Sequence, residues 1–239
     1  MIAVPTPISA AFIALVALLY AMLLLGFAHG LRAGGVEAGR CRRWTWTAAL
    51  GLALWLALTA ALALSGVLRD FGARPPRVFL LIAPAFLGTL LLGLSPWVGR
   101  AAKALPGAWI VAAQSFRVPV EAILWLLVAQ HALPEIMTFT GRNWDVVTGL
   151  SAPLVAWLGF RHRRPARGAV LLWNLVGLAL VTNVVTHGIL SAPTPFRVFV
   201  TDPPNVIIAD FPFVWLPCVV VPVAYLLHIV SLRQLGSVR

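Results

Sequence analysis

The sequence predicts an all-α polytopic membrane protein of seven transmembrane helices, with the N-terminus outside and the C-terminus cytoplasmic. Three observations carry that reading. Seven apolar stretches recur along the chain, most of them near the roughly 20 residues that a helix needs to cross a bilayer. The 239 residues are 61% hydrophobic and only 10% charged, whereas an average soluble domain is about 25% charged. The basic residues also divide unequally between alternate connections.

The first stretch, 6–28, has no basic residues ahead of it. It is longer than the roughly 7–15-residue apolar core of a signal peptide, so it reads as a retained span. The connection HGLRAGGVEAGRCRR leads to the second stretch, 44–67, and RDFGARPPR leads to the third, 78–98. The fourth, 108–132, is followed by the polar segment PEIMTFTGRNWD. The fifth, 145–160, is short for a span, and RHRRPARG separates it from the sixth, 169–188. The long segment before the seventh stretch, 211–232, contains Pro193, Pro195, Pro203 and Pro204, and so reads as irregular backbone. No soluble domain, low-complexity linker or convincing internal repeat interrupts the series. The whole chain, 1–239, reads as one seven-helix domain.

Alternating the connections gives the orientation. Arg32, Arg40, Arg42, Arg43, Arg100, Lys103, Arg161, Arg163, Arg164, Arg167, Arg233 and Arg239 fall on one side. Arg69, Arg74, Arg77, Arg142 and Arg197 fall on the other. The richer side is cytoplasmic by the positive-inside rule. This distribution also explains the net charge of +11 without nucleic acid as a partner. A single lysine against seventeen arginines reads as GC-rich bacterial coding, which places the chain in a bacterial inner membrane as a multi-pass protein.

The remaining arginine, Arg117, lies inside the fourth stretch with Glu121 four residues on. A charge at a helix centre costs about 2.5–3.5 kcal/mol on insertion scales, so such residues are expected to be paired, enclosed or needed. Gln114, Arg117, Glu121 and Trp125 share one helical face. Arg117 and Glu121 are spaced to pair directly. Pro119, between them, is expected to kink the helix. The group reads either as a polar lining for a ligand or proton path, or as an internal salt bridge tying span four to its neighbours. Asn183 and His187 of the sixth stretch, with Asp145 of the outer segment, are expected to form the outer wall of a pocket, and Asn143 of that segment counts among the ligand-binding residues. Asn174 reads as hydrogen-bonding glue between helices. His29 and His228 read as interfacial anchors, and Trp44, Trp46, Trp97, Trp109, Trp144 and Trp215 as an aromatic belt.

Three segments together, QSFRVPVEAILW (114–125), PEIMTFTGRNWDVVTGLSAP (134–153) and DFPFVWLPCVVVPVAYLLH (210–228), resemble a family of small, uncharacterised bacterial multi-span inner-membrane proteins. The likeness covers roughly the C-terminal half. It implies a polytopic inner-membrane protein and brings no activity or catalytic residue with it. It also suggests that the three segments belong to one design.

Several chemistries find no support. Retinal needs a lysine within a span, and Lys103 is in a connection. Cys41 and Cys218 make no disulfide framework. No HxxxH, HExxH, P-loop, GxSxG or CxxC pattern occurs, so no metal, cofactor or catalytic residue is expected. The preferred function is binding or transport of a small molecule or ion in the membrane. Gln114, Arg117, Glu121, Trp125, Asn143, Asp145, Asn183 and His187 would line the site, and Glu121 would be its proton-sensitive member. The alternatives are a membrane enzyme acting on a lipid or quinone, and a non-catalytic accessory or sensor subunit. The expected partners are the bilayer, the ligand and a second copy of the chain.

Overall fold

The computed structural model describes residues 4–161 and 166–237, and every regular element among them is helical. In order these are α1 (Thr6–Ala33), α2 (Ala38–Leu64), α3 (Phe79–Leu94), α4 (Pro96–Ala104), α5 (Gly107–Ala112), α6 (Arg117–Ala129), α7 (Val146–Phe160), α8 (Arg167–Ser191) and α9 (Val221–Ser237). Among the described residues, five helical stretches are long and apolar enough to cross a membrane: Thr6–Ala33, Ala38–Leu64, Gly107–Ala129, Arg167–Ser191 and Leu216–Gly236. The bent pair α3 and α4 makes a sixth if counted as one span. α7, the fifth expected stretch, has 15 residues and is indeed short.

The last helix is the centre of the bundle. α9 packs against α3, α4, α5 and α8, and the apolar face of the preceding segment 213–220 is buried with it. α2 and α8 instead leave Leu50, Leu54, Leu58, Leu171, Leu172 and Leu175 exposed, as helices at an apolar boundary do.

Two expected helices are broken, and proline accounts for both. The third stretch bends by 60° between α3 and α4. Pro96 pushes Ser95 out of the helical region (φ −62°, ψ 149°). Ser95 Oγ then accepts from Val98 N at 3.2 Å and caps the new helix. Arg233 of α9 donates to the carbonyls of Gly93 and Ser95 at this break. In the fourth stretch, the proline at 119 has no N–H and its ring would clash with the carbonyl four residues back. The chain meets this with a 3₁₀ segment, Ala113–Phe116, between α5 and α6.

The basic residues sit differently from expectation. Arg32 lies on α1, Arg40, Arg42 and Arg43 on α2, and Arg100 and Lys103 on α4, so only 34–37 connect the first two helices. Arginine is a good helix former and can carry its charge outward on its stem. At about 1.5 Å per residue, α1 and α2 are roughly 40 Å long, more than the hydrocarbon thickness. Gly35, at φ 75°, makes the tight turn between them. Arg163, Arg164 and Arg239 lie outside the described residues.

Trp215 and Asp210 are interior. Trp215 is not part of an aromatic belt: it is 8% exposed, and its indole donates to Thr59 Oγ1 at 3.0 Å. Asp210 is buried and receives both Nε and NH2 of Arg69 at 2.6 Å. That bond to Asp210 holds the Arg69 guanidinium above its ordinary pKa.

Candidate functional site

The centre of the site is where α6 begins. The 3₁₀ segment delivers Gln114, and α6 opens on Arg117, so both side chains turn into the bundle and are almost wholly buried. Arg117 does not pair with Glu121, contrary to the expectation from their spacing. Its NH1 donates to Asp145, the residue at the start of α7, in an ion pair. Its Nε donates to Gln114 Oε1 at 3.3 Å, and NH2 lies 3.0 Å from His228 Nε2 on α9. Once 138–145 folds back over the helix, Arg117 has a nearer acceptor than the carboxylate one turn away.

Hydrogen-bond bookkeeping fixes the state of His228. A guanidinium has only donors, so Nε2 must offer a lone pair to Arg117. The ring is then the neutral tautomer with its proton on Nδ1, which donates to Asn174 Oδ1 at 2.9 Å. Asn174 Nδ2 in turn donates to Val170 O at 2.8 Å and Ser231 Oγ at 3.0 Å. The chain of bonds thus links α6, the start of α7, α8 and α9, through side chains that are nearly inaccessible except that of Asp145, which is 14% exposed. Asn174 is interhelical glue, as expected.

Two glycines let the helices close over this network. A Cβ on Gly149 of α7 would stand 3.0 Å from Arg117 Cβ. A Cβ on Gly177 of α8 would stand 2.6 Å from His228 Nε2.

Glu121 heads a second group. Its Oε1 accepts from Trp125 Nε1 at 2.9 Å and from the backbone N–H of Phe139 at 2.6 Å. Its Oε2 has a longer contact, 3.4 Å, with Asn143 Nδ2. Asn143 also donates to Met137 O at 2.9 Å and accepts from Asp145 N at 3.1 Å. Asn143 and Asp145 therefore stitch the Glu121 group to the Arg117 group. Both face a cavity of about 40 Å³, walled by Arg117, Glu121, Asn143 and Asp145 on its polar side and by residues such as Val181, Val184 and Val220 on its apolar side.

The expected site residues fall into two sets. Gln114, Arg117, Glu121, Trp125, Asn143 and Asp145 come together as one bonded network. Asn183 and His187 lie in another cluster: Asn183 donates to Arg142 O at 2.6 Å, and His187 stacks on Phe199 with centroids 5.1 Å apart. Among the described residues, no group of three or more His, Cys, Asp or Glu is placed to hold a metal ion.

His228 is the residue that sequence reasoning misplaced. It is no interfacial anchor: it is 0% exposed and bonded at both ring nitrogens. The cause is a boundary error. The seventh stretch was expected to end at 232, but α9 continues to Ser237, which sets His228 deeper. A signal was available, since Tyr225, His228 and Ser231 recur at helical spacing within an apolar run.

Residues 75–236 match a family model described as a domain of unknown function, DUF8737. The match takes in every member of both site groups. No curated protein and no solved structure matches the chain.

Proposed function

The chain belongs to the DUF8737 family, and we propose that it is a multi-pass protein of a bacterial inner membrane that binds or transports a small ion or molecule at the Arg117–Glu121 network. In this reading it has seven spans, with the N-terminus outside and the C-terminus cytoplasmic. The bent α3–α4 pair is one span, and short α7 is another, seated against α5, α6 and α8. The network lies on the outward half of the bundle.

One observation carries the proposal: three ionisable side chains, Arg117, Glu121 and Asp145, meet at a partly open cavity of about 40 Å³ within the bundle. Intramembrane ionisable groups are costly and mark ion or substrate paths. The cavity's size limits what it takes. A water needs about 10–15 Å³ by this measure, so the space suits one to a few waters or a small ion. A space of this size suits a small ligand, which favours binding or transport over the enzymatic alternative.

Two measurements test this reading. Purified protein is screened by thermal shift against small ions and small polar molecules, comparing wild type with Glu121→Gln. At least one ligand is expected to stabilise wild type and not the variant. If none distinguishes them and the variant folds normally, the network is structural. Reporter fusions at the C-terminus and within 134–145 read the topology, with the first expected inside and the second outside.

A further inference from the structure

We propose that Glu121 carries an exchangeable proton, so that the ion this site binds is H⁺. The inference deepens the functional reading above and rests on it for the meaning of the exchange; its test reads protonation directly. It starts from a count of charges. Arg117 and Asp145 neutralise each other by direct ion pairing. His228 is held neutral by its bond from Arg117. Glu121 makes no ion pair among the described residues, and its three donors, Trp125, Phe139 N and Asn143, are all uncharged. The elements around it add no further buried positive charge, Arg117 being the one buried lysine or arginine among the described residues. Tyr20 is the one titratable group on the buried face of α1. The loop brings Asn143 and Asp145. α7 brings Thr148. α9 brings Tyr225, bonded to Thr182, and His228. An ionised Glu121 would thus be a lone buried carboxylate, 7% exposed, beside a second one. Such a group takes up a proton instead.

The geometry gives the proton a place and a route. Oε1 already accepts two hydrogen bonds, so the proton belongs on Oε2, which has only the 3.4 Å contact with Asn143. Glu121 lines the cavity, which has room for water. On release, the O–H bond of Glu121 breaks and the proton passes to a water there. The electron pair stays on Oε2, and the carboxylate keeps its three donors. Uptake is the reverse. On the inner side the path stops at Arg117, which separates the carboxylates from His228 and has no lone pair to accept a proton. Exchange is therefore one-sided in this conformation.

The test is infrared spectroscopy of the purified protein, following the carbonyl stretch of a protonated carboxylic acid through a pH titration. Wild type should show this band at neutral pH, shifted by deuterium exchange. Glu121→Gln should lose it. The double variant Arg117→Gln/Asp145→Asn should keep it, because removing a neutral pair leaves Glu121 still without a positive partner. The single variant Asp145→Asn should lose most of it, because Arg117 then needs Glu121 as its counter-ion. Absence of the band in folded wild type, its survival in Glu121→Gln, or its loss in the double variant would overturn the proposal. A carboxylate band that answers to sodium, with no acid band, would overturn it in favour of a metal cation. A ligand-induced thermal shift seen alongside any of these failures would leave the wider binding reading standing.

Discussion

Gly177→Ala should be far more damaging than Gly188→Ala, although both lie on α8 and add one methyl group. At Gly177 the new Cβ would stand 2.6 Å from His228 Nε2 and 3.1 Å from Thr148 Cγ2. His228 is 0% exposed and bonded at both nitrogens, so it has nowhere to yield. Overpacking of this kind costs about 1–3 kcal/mol. Displacing the imidazole also breaks the bond from Arg117, a charged-group hydrogen bond of about 1.5–3 kcal/mol. The helix propensity of alanine over glycine returns at most about 1 kcal/mol. The net loss is about 1.5–5 kcal/mol. At Gly188 the nearest atom to a new Cβ is Met137 Cε at 3.4 Å, an ordinary contact. That substitution should be neutral, or stabilising by up to about 1 kcal/mol. Reversible unfolding of the two variants in mixed micelles measures the difference. Equal stabilities would refute the packing of α8 against His228, and with it the closed network.

Asp145→Asn should cost up to about 3–5 kcal/mol, because Arg117 loses its bonded counter-ion and is left with only the unbonded Glu121 to balance it; adding Arg117→Gln should recover most of that loss, and a double variant no better than the single would show that the pair is not isolated. Trp55→Phe should cost about 1–3 kcal/mol, because proline at 222 leaves Cys218 O without its α-helical donor and the Trp55 indole supplies one at 3.0 Å. The same variant should speed hydrogen exchange at Val219–Val221, and unchanged exchange would contradict the bond. Ser95→Ala should cost about 1 kcal/mol by uncapping α4, read in the same unfolding assay against a neighbouring exposed substitution such as Leu94→Ala.

How far the fold was legible follows from what each feature depends on. The apolar stretches and the shortness of the fifth were readable because length and composition are local properties. The breaks at Ser95 and Ala113–Phe116 were readable in principle, since Pro96 and Pro119 act on their immediate neighbours; only the second was anticipated. The basic residues around 32–43 fall outside the apolar stretches, and apolar length alone does not show that α1 and α2 continue through them. Gln114, Arg117, Glu121 and Trp125 were found by their shared face. Asn143 and Asp145 were found as polar residues of the outer segment, but not as partners of α6.

What the sequence determined by itself is the all-helical class, the apolar stretches and which of them carry the costly groups, because hydrophobic length and helical periodicity are written within a few turns of chain. Which group pairs with which was decided by the tertiary structure. Spacing favoured Glu121 as the partner of Arg117, yet the ion pair spans 28 positions to Asp145 and the imidazole bond spans 111 to His228. In a buried site a donor takes the acceptor that packing brings within about 3 Å, and that choice belongs to the folded bundle.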